Sequence, residues 1–393
     1  MKKRISIYAD EGASHSFIWL IKFFKKHKLY SVNFVSSQNI KEGCLSKCDV
    51  LIISGGDSFA IAESLGIEGA KSIENFIKNG GTYIGVCAGA YLMLRSSKKP
   101  LNYFNFTSAK IRNLASSLPP AKTMEYKYSV TYGCRYIYHP VRGEIIMKVV
   151  SEGLEEILLS APIYGGPFIK DDDTLNQLAV FWDFTDKTLF LIDRETAESI
   201  CRNSMLAGEK KYEKGKIFLL STHMEHPDYE FANRFFLGII LDDEFKAKEI
   251  SNISQKLEAR KMKRGKIENK KYYEFRKNIR NMRQLSIGIE NRETYWKIGK
   301  KIWETEKIRI FTESLYELDN EYGHNLSSYL SNEDTIELKT KSYETYLLLQ
   351  KISKSLSSNS PSQIFAESFF TNARNLLSRY ASLCFSYSDR MKK

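Results

Sequence analysis

Through the first 240 residues, short apolar runs alternate with amphipathic stretches, and glycine-rich turns fall between them. Residues 4–9 read as a strand, and residues 16–28 place their apolar positions at helical spacing. Tyr30, Val32, Phe34 and Val35 supply the β-formers of a second strand over 29–36. Val50, Leu51, Ile52 and Ile53 form a continuous apolar run ending in Ser54-Gly55-Gly56-Asp57, the pattern of a strand buried on both faces of a parallel sheet. A helix over 69–78 stops at Gly80-Gly81, and a strand over 82–86 leads straight into a helix start at Cys87. Such alternation predicts an α/β domain with a mostly parallel sheet.

The pattern then changes. Residues 104–150 are β-rich, with Tyr126, Tyr128, Val130, Tyr132, Tyr136 and Tyr138 alternating, and further strands are expected at 179–182, 188–192 and 216–220. Beyond Asp242, Gly and Pro nearly vanish, and Lys, Arg, Glu, Tyr and Leu dominate. Helices are expected at 244–283, 290–320, 333–356 and 361–385, with a Ser-rich loop over 355–362. The expected division is therefore an α/β domain over 1–243 and a lysine-rich, all-α domain over 244–393.

Charge sharpens that division. Of the net +12, residues 251–310 carry 18 Lys and Arg against 7 Asp and Glu, so the rest of the chain is close to neutral. No apolar run approaches the roughly 18 residues of a spanning helix. The basic Met1-Lys2-Lys3-Arg4 is followed by a strand and turn, not by a signal-peptide core, so the expected location is cytoplasmic, without membrane association. Six cysteines in 393 residues do not make a disulfide scaffold, and Cys44 and Cys48 are read as buried reduced thiols.

Candidate chemistry concentrates at Gly85-Val86-Cys87-Ala88-Gly89. A nucleophile on a sharp strand-to-helix elbow sits in a strained backbone, so its flanks must be small, and the Gly-x-Cys-x-Gly spacing meets that need. The helix that follows points its N-terminus at the sulfur and favours thiolate. Backbone N–H groups of Gly55, Gly56 and Ala88 are the expected oxyanion hole. Far downstream, a strand ends in His223-Met224-Glu225-His226. A histidine at the carboxyl end of a strand can reach the elbow, and a glutamate two residues on can fix its tautomer. The expected triad is Cys87, His223 and Glu225. Tyr91, Gly165, Gly166 and His226 are the candidate pocket residues. The Asp171-Asp172-Asp173 run is read as an exposed turn, and neither a metal nor another cofactor is expected.

The stretch from Gly55-Gly56 through Asn79-Gly80-Gly81-Thr82-Tyr83-Ile84-Gly85-Val86-Cys87-Ala88-Gly89-Ala90-Tyr91 resembles the class I glutamine amidotransferase-like superfamily. More narrowly, it is similar to the N-terminal domain of eukaryotic-type biotin–protein ligases. Tyr164-Gly165-Gly166-Pro167-Phe168, Tyr212-Glu213-Lys214-Gly215-Lys216 and Ser221-Thr222-His223-Met224-Glu225-His226-Pro227 extend the resemblance to about residue 240. It implies a flavodoxin-like sheet, with Cys87 as nucleophile, His223 as base and Glu225 as orienter, and a thioester formed from a carboxamide. Two features depart from it: no synthetase domain is visible to receive ammonia, and Lys263-Arg264-Gly265-Lys266 lacks the biotinyl-adenylate loop pattern. The chain is thus not expected to be a biotin ligase by itself.

Three functions follow in order. The first is a cysteine amide hydrolase on a small-molecule amide, with the C-terminal helices docking a partner protein or a second copy. The second is a non-catalytic binding or regulatory module that keeps the elbow as a ligand pocket. The third is a nucleic-acid-associated protein acting through 251–310. Tyr272, Phe275, Ile279 and Met282 recur at near-helical spacing there, so a solvated lysine face on a helix with an apolar core stripe ranks ahead of nucleic acid.

Overall fold

The computed structural model describes residues 3–112, 119–121, 139–150, 157–241, 270–299 and 301–391. The contacts divide the chain into two compact units, residues 1–27 with 35–255 and residues 28–34 with 256–393.

The chain holds a nine-stranded sheet, which belongs to the first unit except for residues 32–34 of one edge strand. Its strands are β1 (Ile5–Tyr8), β2 (Val32–Val35), β3 (Val50–Ile53), β4 (Thr82–Val86), β5 (Val141–Val149), β6 (Ile157–Ile163), β7 (Asn176–Phe190), β8 (Met205–Tyr212) and β9 (Gly215–Leu220). Their order is β2-β1-β3-β4-β9-β8-β7-β5-β6. β1, β3, β4 and β9 pair in parallel; β9-β8, β8-β7, β7-β5 and β5-β6 pair antiparallel. The α/β expectation holds, and the parallel half has the 2-1-3-4-5 order of a flavodoxin-like sheet, with β9 in fifth place. The β-rich middle of the sequence supplies the antiparallel half. The two strands expected at 179–182 and 188–192 are one long β7, because residues 185–187 between them make a bulge opposite Glu144 and pairing resumes at Thr188.

The helices of this unit are α1 (Ser16–Lys26), α2 (Ser37–Lys41), α3 (Ser58–Lys78), α4 (Ala88–Met93), α5 (Arg194–Cys201) and α6 (Glu230–Leu241). α3 starts eleven residues before the expected 69, because Asp57 caps it by accepting from the N–H groups of Phe59 and Ala60. Gly66, at φ +60°, absorbs the kink that its early part requires. Leu51, Ile52, Ile53, Ile84 and Val86 are wholly buried. Each such side chain contributes about 1.5–3 kcal/mol relative to exposure, so the strands that aim the site are the most firmly held. Cys48 is buried as expected, whereas Cys44 is only half-buried.

The second unit is helical: α7 (Lys270–Glu290), α8 (Thr305–Leu326), α9 (Asn332–Ser357) and α10 (Gln363–Arg390). Tyr272, Phe275, Ile279 and Met282 are fully buried on one stripe of α7. The continuous helix expected over 290–320 is corrected here: a hairpin of β10 (Tyr295–Ile298) and β11 (Lys301–Glu304) separates α7 from α8. Alternation of Trp296 and Trp303 with polar neighbours suits a two-residue period, and Gly299 takes the positive φ of the turn. A polar cluster lies in the helical core. Asp319 accepts from Arg276 Nε at 2.8 Å and from the Tyr272 and Tyr380 hydroxyls at 3.3 Å each. The expected strands carrying Tyr126 to Tyr138, the start of the helix at 244–283, and Lys263 to Lys266 lie outside the described residues.

Among the described residues no helix is long and apolar enough to cross a membrane, and no group of three His, Cys, Asp or Glu side chains is placed to hold a metal ion.

Candidate active site

Cys87 is the last residue before α4 and has φ +52° and ψ −104°, a strained combination for a residue with a Cβ. The glycines on either side explain how the turn is made. A Cβ on Gly85 would lie 2.5 Å from the carbonyl oxygen of Gly89, and one on Gly89 would lie 1.9 Å from that of Ile53. The Tyr83 hydroxyl donates to the same Gly89 oxygen at 2.8 Å and ties α4 down onto β4. α4 is six residues long and begins directly after Cys87, so its N-terminus lies beside the sulfur-bearing residue.

Register brings the other partners in. β4 pairs with β9 up to Val86 opposite Leu220, and the Cys87 N–H continues the ladder by donating to Leu220 O at 2.8 Å. The chain leaving β9 is therefore delivered beside the elbow. The His223 N–H donates to Pro162 O at 2.8 Å, which fixes the loop, and the imidazole hydrogen-bonds the Cys87 side chain. His223 Nδ1 donates to Glu225 Oε1 at 2.7 Å. Cys87, His223 and Glu225 are 4%, 3% and 0% exposed, so this polar trio is almost completely out of water. The fold thus brings the three predicted residues together.

Burial is the largest influence on His223 and favours its neutral form. The Glu225 charge, the hydrogen bonds to Cys87 and Glu225, and the Cys87 charge outweigh it and raise the imidazole to about 10. An imidazolium held between a thiol and a carboxylate favours the thiolate form of the sulfur.

Gly55 is pressed against the ring: a Cβ there would stand 2.8 Å from His223 Cε1 and 3.3 Å from Nε2. Gly56 is bridged to Ala13, and the Asp57 N–H donates to Gly12 O at 2.8 Å. Ala88 opens α4 directly behind the sulfur. Gly166 packs on the strand end that carries His223, since a Cβ there would meet Ser221 O at 1.8 Å, and Gly165 takes φ +115° to make that approach. These two glycines shape the loop rather than offer side chains. Tyr91 lies on α4, its ring 5.8 Å from that of His139. The His226 ring packs tilted against Trp19 at 4.6 Å, and burial lowers its pKa.

Several neighbours were not anticipated. Trp19 on α1 meets the His223 ring edge-on at 4.9 Å, and Tyr164 lies 5.8 Å from the same ring. The Arg142 guanidinium sits 5.9 Å from the Tyr164 centroid. Ser54 Oγ donates to Glu225 Oε1 at 3.2 Å and lies 2.9 Å from Ser16 Oγ. Ser54 could have been singled out in the sequence, because it directly precedes the glycine pair at the end of a buried strand. Trp19 could not, since nothing local relates α1 to His223. The arrangement is chemically equipped for attack by a thiolate on a carbonyl, with a proton carrier alongside.

An uncharacterized protein of Chlamydia muridarum is 32% identical over 98 residues, which cover 23% of this chain and 37% of that protein. The chain therefore spans little more than a third of that relative. Among solved structures, cytoplasmic protein STM1381 of Salmonella typhimurium LT2 is 12% identical, covering 61% of this chain and 98% of that one at a TM-score of 0.35. STM3548 of Salmonella typhimurium is 14% identical, with 61% and 98% covered, at 0.33. A β-galactosidase of Bacillus circulans sp. alkalophilus is 13% identical, with 62% and 32% covered, at 0.32. The sequence profile of the family described as biotin-protein ligase, N terminal, matches residues 3–280. With well over half of its length matched, the chain belongs to the biotin-protein ligase N-terminal family.

Proposed function

We propose that the first unit is a cysteine amide hydrolase of the class I glutamine amidotransferase-like type, acting on a primary carboxamide through a thioester. The observation that carries this reading is the buried His223–Glu225 hydrogen bond of 2.7 Å, formed where β9 ends beside the strained Cys87. In the proposed reaction the Cys87 sulfur attacks the carboxamide carbon and forms a C–S bond. His223 Nε2 gives its proton to the departing nitrogen as the C–N bond breaks, and ammonia leaves. His223 then takes a proton from water, whose oxygen attacks the thioester, and a carboxylic acid is released with the thiol restored. Backbone N–H groups around Gly55, Gly56 and Ala88 are the proposed donors to the oxyanion.

The proposed division of labour places this chemistry in residues 1–243. Residues 244–393 would dock a partner protein or a second copy, in the cytoplasm. The test is ammonia release from a panel of primary carboxamides, together with the intact mass of the protein during turnover. Wild type is expected to carry an acyl adduct on Cys87 and to release ammonia, and Cys87→Ala to do neither. Equal activity in the two proteins would overturn the proposal. A second reading, a binding or regulatory module, is favoured by the near-complete burial of Cys87 and of His223, whose ring lies against Trp19 and Tyr164. Saturable binding of a carboxamide without any adduct would select it.

A further inference from the structure

We propose that Ser54 is a positioning residue of this site, holding the Glu225 carboxylate from the side opposite His223 and tying it, through Ser16, to α1. The inference rests on the hydrolase reading above. Glu225 is wholly buried, where a carboxylate is costly unless donors surround it. Both of its hydrogen bonds converge on Oε1, one from His223 Nδ1 at 2.7 Å and one from Ser54 Oγ at 3.2 Å. Oε2 has no partner among the described residues. Ser54 is therefore the neutral donor that supports the charge. It is 4% exposed and has one proton, which a carboxylate attracts more strongly than a hydroxyl does.

Ser54 is itself held. With the Ser54 proton on Glu225, Ser16 Oγ, 1% exposed, donates to Ser54 Oγ at 2.9 Å, and Ser14 Oγ donates to Gly55 O at 3.0 Å. These hydroxyls join the first turn of α1 to the end of β3, and the carboxylate that orients His223 rests on that junction. Trp19 is carried by the same helix, one turn on.

Without the Ser54 hydroxyl, the buried Glu225 charge has only His223 to compensate it. The carboxylate is then held less firmly against Nδ1, and the imidazolium that accompanies the Cys87 thiolate is less well placed. The charged and titratable groups around Cys87 and His223 are Glu225, Tyr164 and His226, with Arg142 beside Tyr164 and Lys22 and Asp228 beyond His226.

The test follows alkylation of Cys87 by iodoacetamide from pH 5 to 9, by peptide mass spectrometry, with the half-buried Cys44 as internal control of folding. Ser54→Ala is expected to move the Cys87 profile to higher pH and to slow alkylation at pH 6 about tenfold, the scale of one hydrogen bond to a charged group. Ser54→Thr, which keeps the hydroxyl, is expected to restore it. In a Glu225→Gln background, Ser54→Ala is expected to have no further effect. A poised wild-type Cys87 that Ser54→Ala leaves unchanged overturns this proposal alone, as does an equal loss in the Glu225→Gln background. A wild-type Cys87 that titrates as a free thiol overturns the hydrolase reading and this one with it.

Discussion

Replacing Gly55 with alanine is a one-carbon probe of where the His223 ring lies. Gly55 does not occupy the positive-φ region, so its backbone accepts an L-residue without strain. The new methyl, however, would stand 2.8 Å from His223 Cε1 and 2.9 Å from Ser16 Oγ. Ordinary contact begins near 3.4 Å, so the ring must retreat by about 0.6 Å. It has little room to do so: Nδ1 is anchored to Glu225 at 2.7 Å, and Trp19 and Tyr164 stand against the ring. Overpacking of this kind costs about 1–3 kcal/mol of stability. Because a misplacement of about 1 Å in a catalytic group costs on the order of 100-fold, the smaller shift should cost roughly tenfold. The assay is the rate of Cys87 alkylation at pH 6.5, with the thermal midpoint measured on the same samples. Gly55→Ala is expected to fold and to react about tenfold more slowly. A folded variant with wild-type rate and pH profile would refute the placement of the imidazole against Gly55.

Other consequences follow from the same geometry. Gly89→Ala forces a methyl onto the Ile53 carbonyl at 1.9 Å, backbone against backbone, and is expected to cost roughly 3 kcal/mol or more in a urea melt of the first unit. Because Cys87 sits at φ +52°, Cys87→Gly is expected to be more stable than Cys87→Ala by about 1 kcal/mol, the reverse of the usual order, in the same melt. Burial lowers His27 to about 4, so the unfolded chain takes up a proton below about 6.5 that the folded one refuses. Stability is therefore lost as pH falls from about 6.5 to 4, by about 1–2 kcal/mol once its partial exposure to solvent is allowed for, and His27→Gln should flatten that slope. Asp319→Ala removes the buried carboxylate that Arg276 and two tyrosine hydroxyls share and is expected to cost about 3–5 kcal/mol, read from loss of helical circular dichroism.

Much of the first unit was legible because buried parallel strands leave a local signature. Val50–Ile53 and Thr82–Val86 could be read from composition alone, and each announced its function-bearing end through Gly55-Gly56 and the Cys87 elbow. The meeting of His223 with Cys87 could be anticipated only in general terms. It depends on β9 pairing beside β4, a long-range choice that no local pattern encodes. The same holds for Trp19, whose ring reaches the site only after α1 packs. The hairpin over 295–304 was hidden by lysines and glutamates that suit a helix, while its two tryptophans pair across the strands. Its strands are four residues each, too short for the two-residue period to stand out between two long helices.

The measurement closest to the central claim is the pH dependence of Cys87 alkylation in wild type and in His223→Ala, resolved peptide by peptide. A thiolate paired with an imidazolium should alkylate well below the ordinary thiol range of about 8.5, and His223→Ala should return it to that range or above. A Cys87 that titrates like a free thiol in both proteins would contradict the account.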